Sequence, residues 1–198
     1  MKHYFTNNID LKSELKIIKY NYKGFEFEFI SDNGVFSKNK VDYGSKLLLE
    51  SYLEDVKKEE KVLDVGCGYG YIGLVISKVN KSFVDMIDVN KRALHLSNRN
   101  AKKFDLKVNI FESDAYKNIK NNYDSIITNP PIRAGKEKVL EILEGAFKHL
   151  YKDGKLYFVI RKDQGALTIK KILEQKCKIE LLIKEKGFLV FKAINKEV

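Results

Sequence analysis

Several residue types that mark specialised folds are scarce in this chain of 198 residues, which has two cysteines, two prolines, three histidines and no tryptophan. Cys67 and Cys177 lie far apart and outside any metal-type spacing, so we expect reduced thiols, no disulfide scaffold and no metal site. No apolar run approaches the ~20 residues that a membrane span needs, and residues 1–16 lack the apolar core of a signal peptide. These absences predict a soluble, cytoplasmic protein that does not act at a membrane.

Acidic residues are also in deficit, and the imbalance is uneven. The formal net charge is +10, with −1 over residues 1–60, +4 over 61–130 and +7 over 131–198. A basic surface attracts phosphate backbones, which favours an RNA or other nucleic-acid partner. However, 33 of the 37 basic residues are lysine, as A/T-rich coding would also produce, so charge alone leaves both explanations open.

Strand-like and helix-like patterns alternate from residue 61 onward, which predicts an α/β fold with helices on both faces of a mostly parallel sheet. The predicted strands cover 61–66, 82–89, 107–113, 123–129 and 155–162, followed by an antiparallel pair at 178–185 and 187–194. The predicted helices cover 71–79, 90–104, 136–151 and 165–176, with Asp153-Gly154 ending the third.

Residues 1–60 differ in character and predict an N-terminal extension, a strand hairpin and a helix over 41–56, packed on a domain of residues 61–198. Asp32-Asn33-Gly34 is a turn signal. The segment FEFEF (25–29) alternates strictly, which predicts one side facing a core and the other facing water. The expected core side is Phe25, Phe27 and Phe29, and the expected solvent side is Glu26 and Glu28.

The stretch VLDVGCGYGYIGL (62–74) places Gly66, Gly68 and Gly70 between a predicted strand and a predicted helix. Small residues there let a ligand approach the backbone, at the edge where α/β sheets bind ligands. Gly68, Gly70 and Gly73 also spell the dinucleotide fingerprint G-x-G-x-x-G. Two cofactors, S-adenosylmethionine and a nicotinamide dinucleotide, therefore compete for this loop.

Three observations favour S-adenosylmethionine. In a dinucleotide fold the first glycine of G-x-G-x-x-G lies at the end of the strand. In this chain the glycine at that place is Gly66, and counting the motif from Gly66 puts Tyr71 at the position of the third glycine. The carboxylate of Asp64 would repel a pyrophosphate and attract a sulfonium and an ammonium. Asp88 ends the next predicted strand, 22 residues after Gly66, where it can accept both ribose hydroxyls. Capping the following helix is its alternative role.

The motif DVGCGYG resembles the cofactor loop of class I methyltransferases, and the resemblance covers residues 61–194 in order and spacing. It implies a doubly wound, Rossmann-like sheet of seven strands and S-adenosyl-L-methionine as cofactor. In that family an acidic residue after the third strand commonly reaches the adenine amine, which Ser113-Asp114-Ala115 matches. The implied cofactor-binding residues are Asp64, Gly66, Cys67, Gly68, Gly70, Asp88, Val89, Asp114, Ala115 and Asn129.

The chain's two prolines are adjacent in DSIITNPPIRAGK (124–136), where they predict a stiff, non-helical turn after a strand. In the same family Asn-Pro-Pro marks amino methyltransferases, which implies catalytic roles for Asn129, Pro130, Pro131 and Ile132. The Asn129 side-chain oxygen and the Pro130 carbonyl would each accept one hydrogen of a planar NH2 group and direct its lone pair at the methyl donor. Many members carry an aromatic residue where this chain has Ile132, and a turn that only ends the strand is the alternative.

The string NPPIRAGK, together with GVFSKNKVDYGSKLL (34–48), resembles the guanine-N2 methyltransferases of small-subunit ribosomal RNA and their single-domain relatives. By that resemblance Phe36 and Ser37 would line the substrate side, although Phe36 could equally be a core residue. Arg133 and Lys136, which flank the turn, could meet a phosphate or could be solvated surface charges. The resemblance also places two residues near the methionine end of the cofactor, Asp42 and Gly44, although Asp42 could equally be a helix cap.

The predicted function is methyl transfer from S-adenosylmethionine to an exocyclic amine, with guanine N2 of ribosomal RNA as the favoured acceptor and RNA as the partner. Three alternatives stay open at this point. The acceptor could be another amine, in DNA adenine, a protein glutamine or a small molecule. The chain could be a non-catalytic RNA-binding assembly factor that retains the fold, or a dehydrogenase.

Overall fold

The computed structural model describes residues 12–195, in which a two-stranded hairpin precedes a seven-stranded sheet with helices on both faces. Residues 1–11, which carry most of the segment judged to lack a signal-peptide core, lie outside the described range. The strands are β1 Lys16–Tyr22, β2 Phe25–Ser31, β3 Lys61–Val65, β4 Phe83–Asp88, β5 Asn109–Glu112, β6 Tyr123–Thr128, β7 Leu150–Arg161, β8 Cys177–Glu185 and β9 Phe188–Asn195. The helices are α1 Tyr43–Asp55, α2 Tyr71–Asn80, α3 Lys91–Lys103, α4 Lys136–Gly145 and α5 Ala166–Leu173.

The large sheet has the strand order β5-β4-β3-β6-β7-β9-β8. Strands β3 to β7 are parallel, and β9 runs antiparallel to both of its neighbours. The predicted fold class, a doubly wound and mostly parallel sheet with an antiparallel C-terminal pair, is confirmed. The chain winds outward from β3 to β5 and then crosses back to β6, so β3 and β6 flank the switch point at which such sheets bind ligands.

Both faces of the sheet are covered, which explains why its central strands are almost continuously apolar. In β7, Leu156 and Phe158 face one core while Tyr157 and Val159 face the other, and all four side chains are buried. In the part of the chain that is described, no helix is long and apolar enough to cross a membrane.

The N-terminal hairpin packs on α3 through aromatic contacts. Phe27 and Phe29 are buried and meet the ring of Phe104 edge-on, with centroids 5.4 and 5.1 Å away. The prediction for Phe25 was wrong, because its side chain is 37% exposed. Phe25 pairs with Tyr22 beside the hairpin turn, whose residues Lys23 and Gly24 are also exposed. The hairpin turn joins β1 to β2 and so precedes β2. The turn at Asp32-Asn33-Gly34 follows β2 and does not join the two strands of the hairpin.

A buried asparagine connects this hairpin to the rest of the molecule. Asn100 on α3 accepts a hydrogen bond from the Ile30 N–H (2.7 Å) and donates to the Ile30 carbonyl (2.9 Å). It also donates to the carbonyl of Tyr69 in the glycine loop (2.8 Å). One side chain therefore satisfies three backbone groups from two separate segments.

The largest differences from the predicted boundaries lie in two helices and in the start of β7. The helix predicted over 136–151 ends at Gly145, and a 3₁₀ turn leads into β7, which already begins at Leu150. Asp153-Gly154 lies inside β7, where the pairing with β6 shifts register, and so does not end a helix. The predicted helix 165–176 is shorter, covering Ala166–Leu173.

Candidate active site

A cavity of about 350 Å³ opens at the carboxyl edge of the sheet, where β3 and β6 end. Val65 pairs with Thr128 in the ladder, and the Thr128 hydroxyl donates to the Val65 carbonyl (2.9 Å). The glycine loop after β3 and the double proline after β6 therefore leave the sheet at the same level, and both line the cavity.

Most of the residues predicted from the sequence meet in this cavity. Those that line it are Phe36, Ser37, Asp42, Asp64, Gly66, Cys67, Gly68, Asp88, Val89, Asp114, Ala115, Asn129, Pro130 and Pro131. Those that do not are Gly44, Gly70, Ile132, Arg133 and Lys136. Four aspartates and one lysine lie in the lining, so the cavity of this basic protein is itself acidic.

The glycine loop leaves open space on the cavity side. Gly66 and Gly68 have φ angles of +78° and +58°, and an added Cβ on either would have no atom within 4 Å. Gly70 has a different role, because it begins α2 at a φ of +97° and its Cβ would lie 2.7 Å from Leu74 Cδ1. Gly70 is therefore required by the packing of the fold.

Asp64 is 1% exposed and accepts a hydrogen bond from the Gly73 N–H (2.9 Å). The pKa of Asp64 is raised to about 7, mainly by burial; the charge of Asp88 contributes to this rise and the Gly73 hydrogen bond opposes it. Within residues 12–195 no basic side chain forms an ion pair with Asp64. This carboxyl group is therefore poised to respond to a cation in the cavity.

Asp88 accepts backbone hydrogen bonds on both oxygens, from the Gly68 N–H (3.0 Å) and the Asn90 N–H (2.8 Å). Burial raises its pKa, while these hydrogen bonds oppose the shift. Asn90, not Asp88, caps α3, since it accepts from the N–H of Arg92 (3.0 Å). Each Asp88 oxygen keeps a further lone pair for a ligand.

Asp114 lies at the rim, between two lysines. Its Oδ2 is paired with Lys117 and its Oδ1 with Lys138, and these hydrogen bonds lower the pKa of Asp114. Lys138 is a member of the lining that the sequence analysis missed. A ligand amine that approaches Asp114 would share the carboxylate with these two ammonium groups.

Asn129 is held by the start of helix α1. Its Nδ2 donates to Ser45 Oγ (2.8 Å) and to Asp42 Oδ2 (3.2 Å). The same Asp42 oxygen accepts from the Ser45 N–H (2.7 Å) and so caps α1. The alternative role of Asp42 as a helix cap is therefore observed, together with a contact to Asn129. Ser45 was also missed.

Phe36 lines the cavity and is 37% exposed. Its loop is tied to the start of α3, where Asn90 Nδ2 donates to the Gly34 carbonyl (2.9 Å) and the Arg92 guanidinium donates to the Asn33 carbonyl (2.9 Å). Two hydrogen bonds from the start of α3 therefore hold the loop that places the Phe36 ring at the cavity mouth.

The residues after the double proline face elsewhere. The 3₁₀ turn Ile132–Ala134 directs Ile132 into a second cavity of about 200 Å³, which Lys136 and Gln164 also line. Arg133 is exposed. Ile132, for which the resemblance implied a catalytic role, therefore does not line the first cavity, because the turn directs its side chain elsewhere.

Gly44 lies on α1, and an added Cβ would come within 2.7 Å of the Phe188 ring. Its small size therefore serves the packing of α1 against β9.

Across residues 12–195, no three histidine, cysteine, aspartate or glutamate side chains are grouped so that they could hold a metal ion.

Comparison with known sequences gives consistent relatives. Residues 26–192 match the sequence profile of the methyltransferase small domain. The chain is 42% identical over 197 residues to the uncharacterized protein YbxB of Bacillus subtilis (strain 168), covering 97% of this chain and 98% of that protein. It is 35% identical over 157 residues to ribosomal RNA small subunit methyltransferase C of Aliivibrio salmonicida (strain LFI1238). That alignment covers 77% of this chain and 45% of the relative, so the chain spans less than half of that protein.

Comparison with solved structures identifies the same fold. The 16S rRNA N2 methyltransferase of T. thermophilus, solved in complex with AdoMet and guanosine, superposes with a TM-score of 0.83 at 24% identity, covering 94% of this chain and 52% of that chain. Ribosomal protein L11 methylase from Lactobacillus delbrueckii subsp. bulgaricus gives a TM-score of 0.71 at 20% identity, covering 82% of this chain and 88% of that chain.

Proposed function

The chain belongs to the methyltransferase small domain family, and from that membership we propose that it transfers a methyl group from S-adenosylmethionine to guanine N2 of small-subunit ribosomal RNA. One observation carries the proposal. Asn129-Pro130-Pro131 lies in the wall of the same cavity as the open glycine loop and four aspartates. The ribosomal acceptor rests on the relatives named as ribosomal RNA methyltransferases.

The acidic lining fits a cationic cofactor without phosphates. Asp64 has no basic partner in the described range, so a sulfonium or an ammonium would stabilise its carboxylate. We assign the ribose hydroxyls to Asp88 with Val89 beside it, and the adenine to Asp114 and Ala115. The backbone of Gly66, Cys67 and Gly68 would border the cofactor. The carboxylate of Asp64, which has no basic partner in the described range, would repel the pyrophosphate of a dinucleotide.

In the proposed reaction the cofactor supplies an electrophilic methyl group on a sulfonium. The Asn129 oxygen and the Pro130 carbonyl each accept one hydrogen of the guanine amine and so direct the nitrogen lone pair at that methyl group. With the cofactor bound, the new N–C bond would form as the S–C bond breaks, and the electron pair of the S–C bond would stay on sulfur. The amine then loses a proton to water, and no strong base is needed. Phe36 packs on the base at the cavity mouth.

The direct test is transfer of a radioactive methyl group to several acceptors, followed by mass spectrometry of the nucleosides. We expect label on small-subunit ribosomal RNA, recovered as 2-methylguanosine, and calorimetric binding of S-adenosylmethionine without binding of NAD. Asn129→Ala should lower turnover by about a hundredfold or more while it spares cofactor affinity. Label only on a DNA adenine or on a peptide glutamine would refute the guanine assignment, and an unchanged rate in Asn129→Ala would refute the role of the turn.

The RNA is expected to lie along the carboxyl edge of the sheet. Lys136 follows β6 and Lys162 follows β7 at this edge, and both are exposed. The double variant Lys136→Gln, Lys162→Gln should reduce the slope of log affinity against log salt by about one for each lysine. The control variant carries Lys148→Gln and Lys152→Gln, two exposed lysines near the opposite end of β7. An equal loss of slope in the control would mean that binding is not confined to this edge.

A further inference from the structure

The amide of Asn129 can in principle present either its oxygen or its NH2 group to the cavity, because the two ends have the same shape. Its surroundings decide between them. The atom next to Asp42 Oδ2, 3.2 Å away, must be a donor, since an ionised carboxyl group can only accept. The NH2 group therefore faces Asp42 and Ser45, and Oδ1 is the other end.

Both hydrogens of the NH2 group are used in this way, one by Asp42 and one by Ser45. Within the described range, no donor forms a hydrogen bond with Asn129 Oδ1, although the side chain lines the cavity. The oxygen is thus the end left for a ligand, and a ligand group that meets it must carry a hydrogen.

The two acceptors are themselves fixed by the first turn of α1. Asp42 Oδ2 accepts from the Ser45 N–H (2.7 Å), which closes the helix cap, and Ser45 is 7% exposed. Asp42 cannot turn away from Asn129 without breaking that cap, and the buried Ser45 lies beside it on the same turn. The start of the helix therefore sets the direction of an amide that lies 84 residues later in the chain.

We propose that Asp42 and Ser45 are positioning residues that lock Asn129 with its oxygen toward the substrate, so that the site selects an acceptor carrying N–H hydrogens. This inference rests on the proposed function for the identity of the reaction. It adds the reason why the substrate is an amine. A carbonyl or carboxylate group placed at Oδ1 would meet a second acceptor and be repelled.

The test uses variants that keep the helix cap. Asp42→Ser retains a good cap but is too short to reach Asn129, and we expect kcat to fall about tenfold, the scale of one lost charge-assisted hydrogen bond. The KM for RNA should stay within about twofold of wild type, because positioning affects the transition state. Any change in the Kd for S-adenosylmethionine should be equal in Asp42→Ser and Asp42→Asn, because both remove the same charge. Asp42→Asn keeps an acceptor oxygen and should recover most of the loss.

A double-mutant cycle shows whether Asp42 acts through Asn129. In the Asn129→Ala background, Asp42→Ser should cause no further loss. A further tenfold loss there, or a loss in KM or cofactor affinity in place of kcat, would overturn the proposal.

A second readout does not depend on activity. The side-chain NH2 signals of Asn129 in a ¹⁵N spectrum should be protected from exchange in the wild type and lose protection in Asp42→Ser. If protection is lost as expected but no RNA is methylated by the wild type, the proposed function fails and the lock stands. If RNA is methylated but protection is the same in both proteins, the lock fails and the function stands.

Discussion

The affinity for S-adenosylmethionine should depend on pH through Asp64. Burial raises the pKa of this carboxyl group to about 7; the Gly73 N–H opposes the shift, and Asp88 adds to it. A bound cation favours the carboxylate, so the pKa of Asp64 falls when the cofactor binds. Because the free protein holds a proton that the complex does not, binding weakens as the pH falls below 7.

The size of the effect follows from the ionised fraction of Asp64 in the free protein. With a pKa of about 7, roughly half of the carboxyl groups are ionised at pH 7 and about 3% at pH 5.5. If the complex requires the carboxylate, Kd should rise about fifteenfold between these pH values, or ~1.6 kcal/mol. The sulfonium does not titrate, and the α-amino group of the ligand stays protonated below its pKa of about 8.

Calorimetry between pH 5.5 and 7 measures both Kd and the protons released. At pH 6 nearly one proton should leave per cofactor bound, which appears as a dependence of the heat on the ionisation enthalpy of the buffer. Asp64→Asn keeps an acceptor for the Gly73 N–H and should give a weaker but flat profile. A flat profile in the wild type would refute the argument. If Asp64→Asn keeps the pH dependence of Kd seen in the wild type, the titrating group is Asp88 and not Asp64, because burial also raises the pKa of Asp88.

Two further variants test the substrate side and the fold. If the Phe36 ring stacks on a base, Phe36→Ala should lower kcat/KM for RNA by a factor equivalent to about 1 to 3 kcal/mol. The control is Phe25→Ala on the hairpin, where the side chain is equally exposed and no loss is expected. Equal losses in the two variants would refute the stacking role. Asn100→Ala should lower the free energy of unfolding in urea by about 3 kcal/mol, because it leaves three backbone groups unpaired. Asn98→Ala, exposed on the same helix, should cost less than about 0.5 kcal/mol, and equal costs would contradict the bridging role.

The sequence predicted those parts of the fold that depend on local patterns. Apolar runs mark β3, β4, β6 and β7 because both sheet faces are covered, and strand-glycine-helix spacing locates the cofactor loop. Parallel strands bring their carboxyl ends to one edge, so the meeting of Asp64, Asp88 and Asn129 was also predictable.

Features set by packing could not be predicted in this way. The apolar periodicity of 136–151 continues through Leu150, yet Leu150 pairs with Tyr123 in the sheet, which no local signal reveals. Whether Ile132 faces the cavity depends on the 3₁₀ turn that follows the prolines. Ser45 and Lys138 contact the site across long sequence separations, and both residue types are common on helices. The one available signal for Ser45 was its position three residues after a helix cap.

Asn90 lies between the proposed cofactor site and the proposed substrate site and contacts both. Its backbone N–H donates to Asp88, while its side chain donates to the carbonyl of Gly34, two residues before Phe36. Two hydrogen bonds through Asn90 therefore connect Asp88, the proposed ribose ligand, to the loop that carries Phe36, the proposed base-stacking residue. Any effect of cofactor occupancy on the affinity for the base must be matched by an identical factor in the reverse direction, because thermodynamic linkage is reciprocal.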